Sequence, residues 1–132
     1  MTATEPASFI NIDMELESTS DLNELAEHWK GKVFILNAGP TESGFRLALE
    51  PLIHGGLSRD PAECADYLLG LVAALPPKLI NIWSTCTSRV FDFGFDGGLE
   101  SSPIHTTMDS KLLFRLAQLK IDFRITVYPF RN

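Results

Sequence analysis

Four stretches of this chain alternate apolar and polar side chains with a period of two. Ile10, Ile12, Met14 and Leu16 alternate with Asn11, Asp13, Glu15 and Glu17. Phe45, Leu47 and Leu49 alternate with Arg46, Ala48 and Glu50. Phe91, Phe93 and Phe95 alternate with Asp92, Gly94 and Asp96. Phe123, Ile125 and Val127 alternate with Asp122, Arg124, Thr126 and Tyr128. Successive side chains of a strand point to opposite faces, so each stretch predicts a strand with one face buried and the other in water. An antiparallel or mixed sheet with helices on one face satisfies all four at once.

The intervening segments carry helix signals. Asp21 followed by Glu24 resembles a capping box, and Leu22, Leu25, Ala26 and Trp29 fall on one helical stripe that Gly31 ends. Val33 to Leu36 is a short apolar strand. Asn37 to Gly44 is dense in turn residues and makes a hairpin with the Phe45 strand. Leu52 to Arg59, with Gly55-Gly56, reads as loop. Asp60-Pro61 with Glu63 starts a helix that runs to about Leu75, where Pro76-Pro77 breaks it. A second helical piece places Leu79, Ile82, Trp83 and Cys86 on one face. Gly97 to Met108 reads as a polar loop. Asp109 then caps a helix with Leu112, Leu113, Leu116 and Leu119 as its apolar side.

The order is β-α-β-β-α-β-α-β. Its first six elements are the split βαβ arrangement of the ferredoxin-like fold. The expected architecture is therefore α+β, a ferredoxin-like core with an appended helix and strand. Residues 1–8 are expected to be a flexible tail and residues 9–132 a single domain. In the ferredoxin-like order the first strand lies between the third and the fourth.

Composition narrows the function. The chain has 132 residues, of which 45% are hydrophobic, enough for a core without staples. Its net charge of −6 argues against nucleic acid and against an anionic membrane surface, both of which are held by clustered Lys and Arg. The acidity fits a generic soluble bacterial-type protein or a binder of basic partners. Cys64 and Cys86 make neither a disulfide framework nor a zinc site, and both fall in stretches read as helical and apolar. No basic segment followed by an apolar run opens the chain, and no apolar stretch approaches 18 residues, so a cytoplasmic address is expected.

The helix DPAECADYLLGLVAALPPKLINIW, the aromatic strand VFDFGFDGG and the closing DSKLLFRLAQLKIDFRITVY resemble a bacterial family of domains of unknown function. The resemblance covers about half the chain and rests mostly on core pattern. It implies a ferredoxin-like α+β core. That family has no established activity, so the resemblance implies no site residue.

The polar face of the sheet is the strongest candidate site. The expected strand order brings Asp13 and Glu15 near Asp92 and Asp96 on one side and near Arg46 and Glu50 on the other. Arg124 and Tyr128 join from the last strand. Clustered carboxylates suit Mg²⁺ or Ca²⁺, and a carboxylate pair with split pKa values can act as acid and base. The plainer alternative is a cross-strand lattice of opposite charges, each pair contributing roughly 0.2–1 kcal/mol. A third use is a surface for another protein or for a second copy of the chain.

Other features are weaker. His28 sits near a helix C-terminus, where a cation is favoured. His54 and His105 lie in loops, and none of the three has metal-motif spacing. Gly55-Gly56 and Gly97-Gly98 match no phosphate-binding motif. Phe91, Phe93 and Phe95 could form a base-stacking platform, but Asp92 and Asp96 on the same strand would repel phosphate, so they read as core.

No cofactor motif is present. The expectation is a non-enzymatic interaction domain that works through its open sheet face, either as a homodimer or as an immunity-type protein that neutralises a basic partner. The alternative is a small-ligand- or metal-binding enzyme with its site on the acidic face or in the 97–108 loop, where His105 lies.

Overall fold

A computed structural model describes residues 7–53, 60–98 and 103–129. Within them lie five strands, β1 (Ser8–Ser18), β2 (Val33–Pro40), β3 (Phe45–Pro51), β4 (Cys86–Asp96) and β5 (Asp122–Tyr128). The helices are α1 (Asn23–His28), α2 (Pro61–Ala73), α3 (Pro77–Ser84) and α4 (Ser110–Gln118). The fold is α+β, with one mixed sheet in the order β2-β3-β1-β4-β5. β1 lies between β3 and β4 and is antiparallel to both. β2 is antiparallel to β3, and β5 lies parallel to β4.

The alternation explains the layers. Ile12, Met14 and Leu16 of β1 share one buried cluster with Leu47 and Leu49 of β3 and Phe91 and Phe93 of β4. Leu25, Leu68, Leu69, Val72, Trp83, Leu112 and Leu116 bring all four helices into that cluster. Burying an aliphatic or aromatic side chain contributes about 1.5–3 kcal/mol, so this face drives folding. Phe93 stacks on Phe123 with ring centroids 4.7 Å apart, which ties β5 to the core. Gly44 is required where the hairpin closes against β1, because a Cβ there would overlap the Ser18 carbonyl oxygen.

Two helix starts follow the sequence signals. The Ala62 N–H donates to the Asp60 carboxylate at 3.0 Å, with Pro61 in the first turn. The Leu112 N–H donates to the Asp109 carboxylate at 2.8 Å. Asp109→Ala leaves that N–H without its acceptor and is expected to lower unfolding free energy by ~1 kcal/mol, measured by urea denaturation.

Several expectations need correction. The Asp21–Glu24 capping box does not form. Asp21 accepts from the Asn23 N–H at 2.9 Å, Leu22 precedes a six-residue helix with no side-chain cap, and Glu24 pairs with Lys78 at 3.4 Å. β2 runs through the expected turn to Pro40, leaving Thr41–Gly44 as the turn, closed by a Thr41 N–H bond to the Gly44 carbonyl at 2.7 Å. An edge strand tolerates the Gly39 and Pro40 that suggested a loop.

Cys86 is not helical. It begins β4, four residues earlier than the alternation indicates, and pairs with Ser18. Ile10 does not follow Ile12 into the core, because a register shift between Phe9 and Asn11 leaves Ile10 exposed and buries Asn11. Phe9 packs edge-on against Phe95 beside it, at 5.5 Å. Leu113, Ile125 and Val127 are exposed, because α4 and β5 form the sheet margin with no further element beyond them among the described residues.

Residues 1–6 of the expected tail, His54 and Gly55-Gly56 lie outside the described residues, as does part of the 97–108 loop. Ser8, assigned to the tail, is already in β1 and pairs with Asp96. Among the described residues no single helix is long and apolar enough to cross a membrane. α2 and α3 qualify only as a pair, and they bend by 113°.

Candidate functional site

The face opposite the helices is built from alternate residues of the strands. β1 supplies Asp13, Glu15 and Glu17, and β3 supplies Arg46, Ala48 and Glu50. β4 supplies Asp92 and Gly94, and β5 supplies Arg124, Thr126 and Tyr128. The register places Asp13 directly opposite Asp92, Asp92 beside Arg124, and Glu17 opposite Arg46.

Arg124 is the hub. Its Nη2 lies 2.7 Å from Glu15 Oε1 and 3.1 Å from Asp92 Oδ2. The Thr126 hydroxyl donates to Asp92 Oδ1 at 2.7 Å, so both Asp92 oxygens are engaged. The hydrogen bond to Glu15, above all, raises the Arg124 pKa still further. Arg46 takes the other side, 3.6 Å from Glu15 and 3.5 Å from Glu17. Glu15 is thus bracketed by two guanidinium groups.

Asp13 is treated differently. It is half-buried and makes no hydrogen bond or ion pair with any described residue. Burial pushes its carboxyl up to about 6, and the neighbouring charges of Glu50, Asp92 and Glu15 add to the rise, with Arg124 opposing. Like charges placed directly across a sheet disfavour each other.

Glu50, its neighbour on the β3 side, accepts from the Asn11 side-chain amide at 2.7 Å and has no cation among the described residues. Asn11 in turn lies 3.9 Å from the Cys64 thiol at the start of α2, a weak contact that links this face to the helical layer.

Asp13, Glu15, Glu50, Asp92, Arg46 and Arg124 therefore come together as the sequence predicts. Tyr128 sits at the rim, with its ring beside Gly94. Asp96 lies farther along β4, opposite Ser8 and Tyr128. His105 is exposed in the segment before α4 and makes no hydrogen bond or ion pair with this group.

No family model, curated protein or solved structure matches this chain. What the face can do is read from its own geometry. Among the described residues, no group of three or more His, Cys, Asp or Glu side chains is placed to hold a metal ion. Arg124 stands where a cation between Glu15 and Asp92 would stand.

Sequence reasoning missed Asn11 and Thr126 as members of the site. Both appear in the polar half of the alternation, but neither is charged, and only the cross-strand register shows that they hold Glu50 and Asp92.

Proposed function

We propose that this protein is a non-enzymatic binding domain whose open sheet face takes a cationic protein partner. The observation that carries it is the imbalance around Asp13. The two arginines make their ion pairs with Glu15, Glu17 and Asp92, while Asp13 and Glu50 face each other's charge and neither forms an ion pair among the described residues, the charge of Arg124 offsetting only part of the repulsion at Asp13. A partner Lys or Arg set between them relieves that repulsion and gains hydrogen bonds to charged groups, each worth about 1.5–3 kcal/mol. The net charge of −6 steers such a partner toward the molecule. An immunity-type role, neutralising a basic protein, is one form this takes. On this proposal β1 to β4, with α1 and α2, are a ferredoxin-like core that α4 and β5 extend.

Calorimetric titration with a hexa-arginine peptide tests it. The double variant Asp13→Asn, Glu50→Gln is expected to bind about tenfold more weakly than the wild type, a loss of roughly 1.4 kcal/mol. A control with the same change in charge, Glu42→Gln, Glu63→Gln, is expected to bind nearly as the wild type does. Equal weakening in both double variants would mean that only net charge matters and would count against a site on this face.

A further inference from the structure

We infer that the outer edge of β5 is a self-association surface, on which a second copy of the chain pairs antiparallel and extends the sheet across a two-fold axis. This is independent of the cationic partner, because it uses the edge of the sheet and the margin beside α4 and leaves the Asp13 face open.

β5 is hydrogen-bonded to β4 along one side, in unbroken register from Asp122 to Tyr128. Its other side has no strand partner among the described residues. Exposed edges of this kind are usually guarded by bulges, Gly, Pro or unpaired charge. β2, the opposite edge, shows such guards: a register shift after Ile35, then Gly39 and Pro40. β5 contains no Gly, Pro or Lys; its one cation, Arg124, is turned to Glu15 and Asp92, and its one other charge, Asp122, stands at the first position of the strand and leaves Phe123 to Tyr128 without a guarding charge.

The β5 side chains on the helix-layer face are apolar; Phe123 packs on the core, and the two beyond it are exposed. Ile125 is 56% and Val127 61% exposed. α4 extends this strip. Arg115 reaches back to Asp66 of α2 at 2.6 Å, so the opposite flank of α4 faces away from α2, and there Leu113 is 45% exposed. A standard interface needs about 20–30 residues a side, which seven strand residues cannot supply alone. The flank of α4 is the apolar surface that adds to them.

The strand also complements itself. An antiparallel two-fold pairing centred on Ile125 sets Ile125 against the partner's Ile125, and Phe123 against the partner's Val127. On the open face it sets Arg124 against the partner's Thr126, and Asp122 against the partner's Tyr128, whose hydroxyl can donate to the carboxylate. No like charges stand opposite each other. A parallel pairing of the same two edges would instead turn one copy over, so that Ile125 and Val127 of the two copies would point to opposite faces and could not pack together.

Light scattering coupled to size exclusion, run across a dilution series, reads the outcome. The wild type is expected at twice 14.6 kDa at the highest concentration. Ile125→Lys and Val127→Lys, each at an exposed position and each checked for native circular dichroism, are expected to lose the dimer. Phe34→Lys on the β2 edge, where Phe34 is 53% exposed, is expected to keep it. A wild type that is monomeric throughout would overturn the inference. So would a dimer that survives both β5 variants, or one that only Phe34→Lys disrupts. Peptide binding by monomeric variants separates a failure here from a failure of the cationic-partner proposal.

Discussion

Phe93→Ala is expected to lower the unfolding free energy by about 3–5 kcal/mol. Phe93 is fully buried at the middle of β4, between Ile12 of β1 and Ile125 of β5 in the register. Its ring stacks on Phe123 with an interplanar angle of 10°. Truncation removes the transfer free energy of the ring and leaves a cavity that the sheet cannot close, because strand spacing is set by backbone hydrogen bonds. Small domains are stable by only about 5–15 kcal/mol, so the variant loses a large fraction of the total.

Urea denaturation measures the change. A double-mutant cycle with Phe123→Ala should show coupling of about 0.5–1.5 kcal/mol, the contribution of the stacked pair beyond its area. A loss below 1 kcal/mol at Phe93 would contradict the packing described. Ile125→Ala, on the neighbouring strand but exposed, is expected to cost less than about 1 kcal/mol, since little of its surface leaves water on folding.

Asp13→Asn is expected to do the opposite and stabilise the protein above pH 7. The carboxyl titrates at about 6 in the folded chain against 3.8 as its ordinary value. A folded-state pKa above the unfolded one means that the folded chain binds the proton more tightly. The stability from this group is therefore fully present below pH 3.8 and is lost as pH rises through 6. A shift of about 2 units corresponds to at most ~3 kcal/mol, and solvent around a half-buried carboxyl reduces this to ~1–2 kcal/mol.

Asparagine keeps the shape and cannot ionise. The variant should exceed the wild type by ~1–2 kcal/mol at pH 7.5, and the difference should shrink toward zero by pH 4. Comparing the two proteins at each pH removes the contribution of carboxyls remote from Asp13, which titrate alike in both. A variant less stable than the wild type at pH 7.5 would show that Asp13 is held by a favourable partner. Residues that weaken the fold yet improve when replaced are characteristic of binding sites, where the compensating group arrives with the ligand.

Much of the architecture was legible from alternation alone. Asp13, Glu15, Arg46, Glu50, Asp92 and Arg124 fall on one face because a period of two admits no other arrangement once Ile12, Leu47, Phe91 and Phe93 are buried. Strand ends were less legible, for a physical reason. Cys86 to Arg89 carry no alternation, and they join β4 only because β1 runs on to Ser18 and offers backbone partners. Gly39 and Pro40 read as turn residues, yet they sit in β2 because an edge strand needs hydrogen bonds on one side only.

The register shift after Phe9 breaks the parity of β1 at Ile10, and no side-chain pattern announces such a bulge. Within the site, charge marked the carboxylates and arginines but not the distribution of partners among them. That Arg124 pairs with Glu15 and Asp92, while Asp13 forms no ion pair among the described residues, follows from β5 lying parallel beside β4.

The most direct test of the acidic face as the binding surface is a two-dimensional amide NMR titration of the wild type with hexa-arginine peptide at neutral pH. The account predicts that the largest shift changes fall at Asp13, Glu15, Glu50, Asp92 and their neighbours on β1, β3 and β4. Changes concentrated instead at Glu63 and Asp66 on α2, or spread evenly over all surface carboxylates, would contradict it.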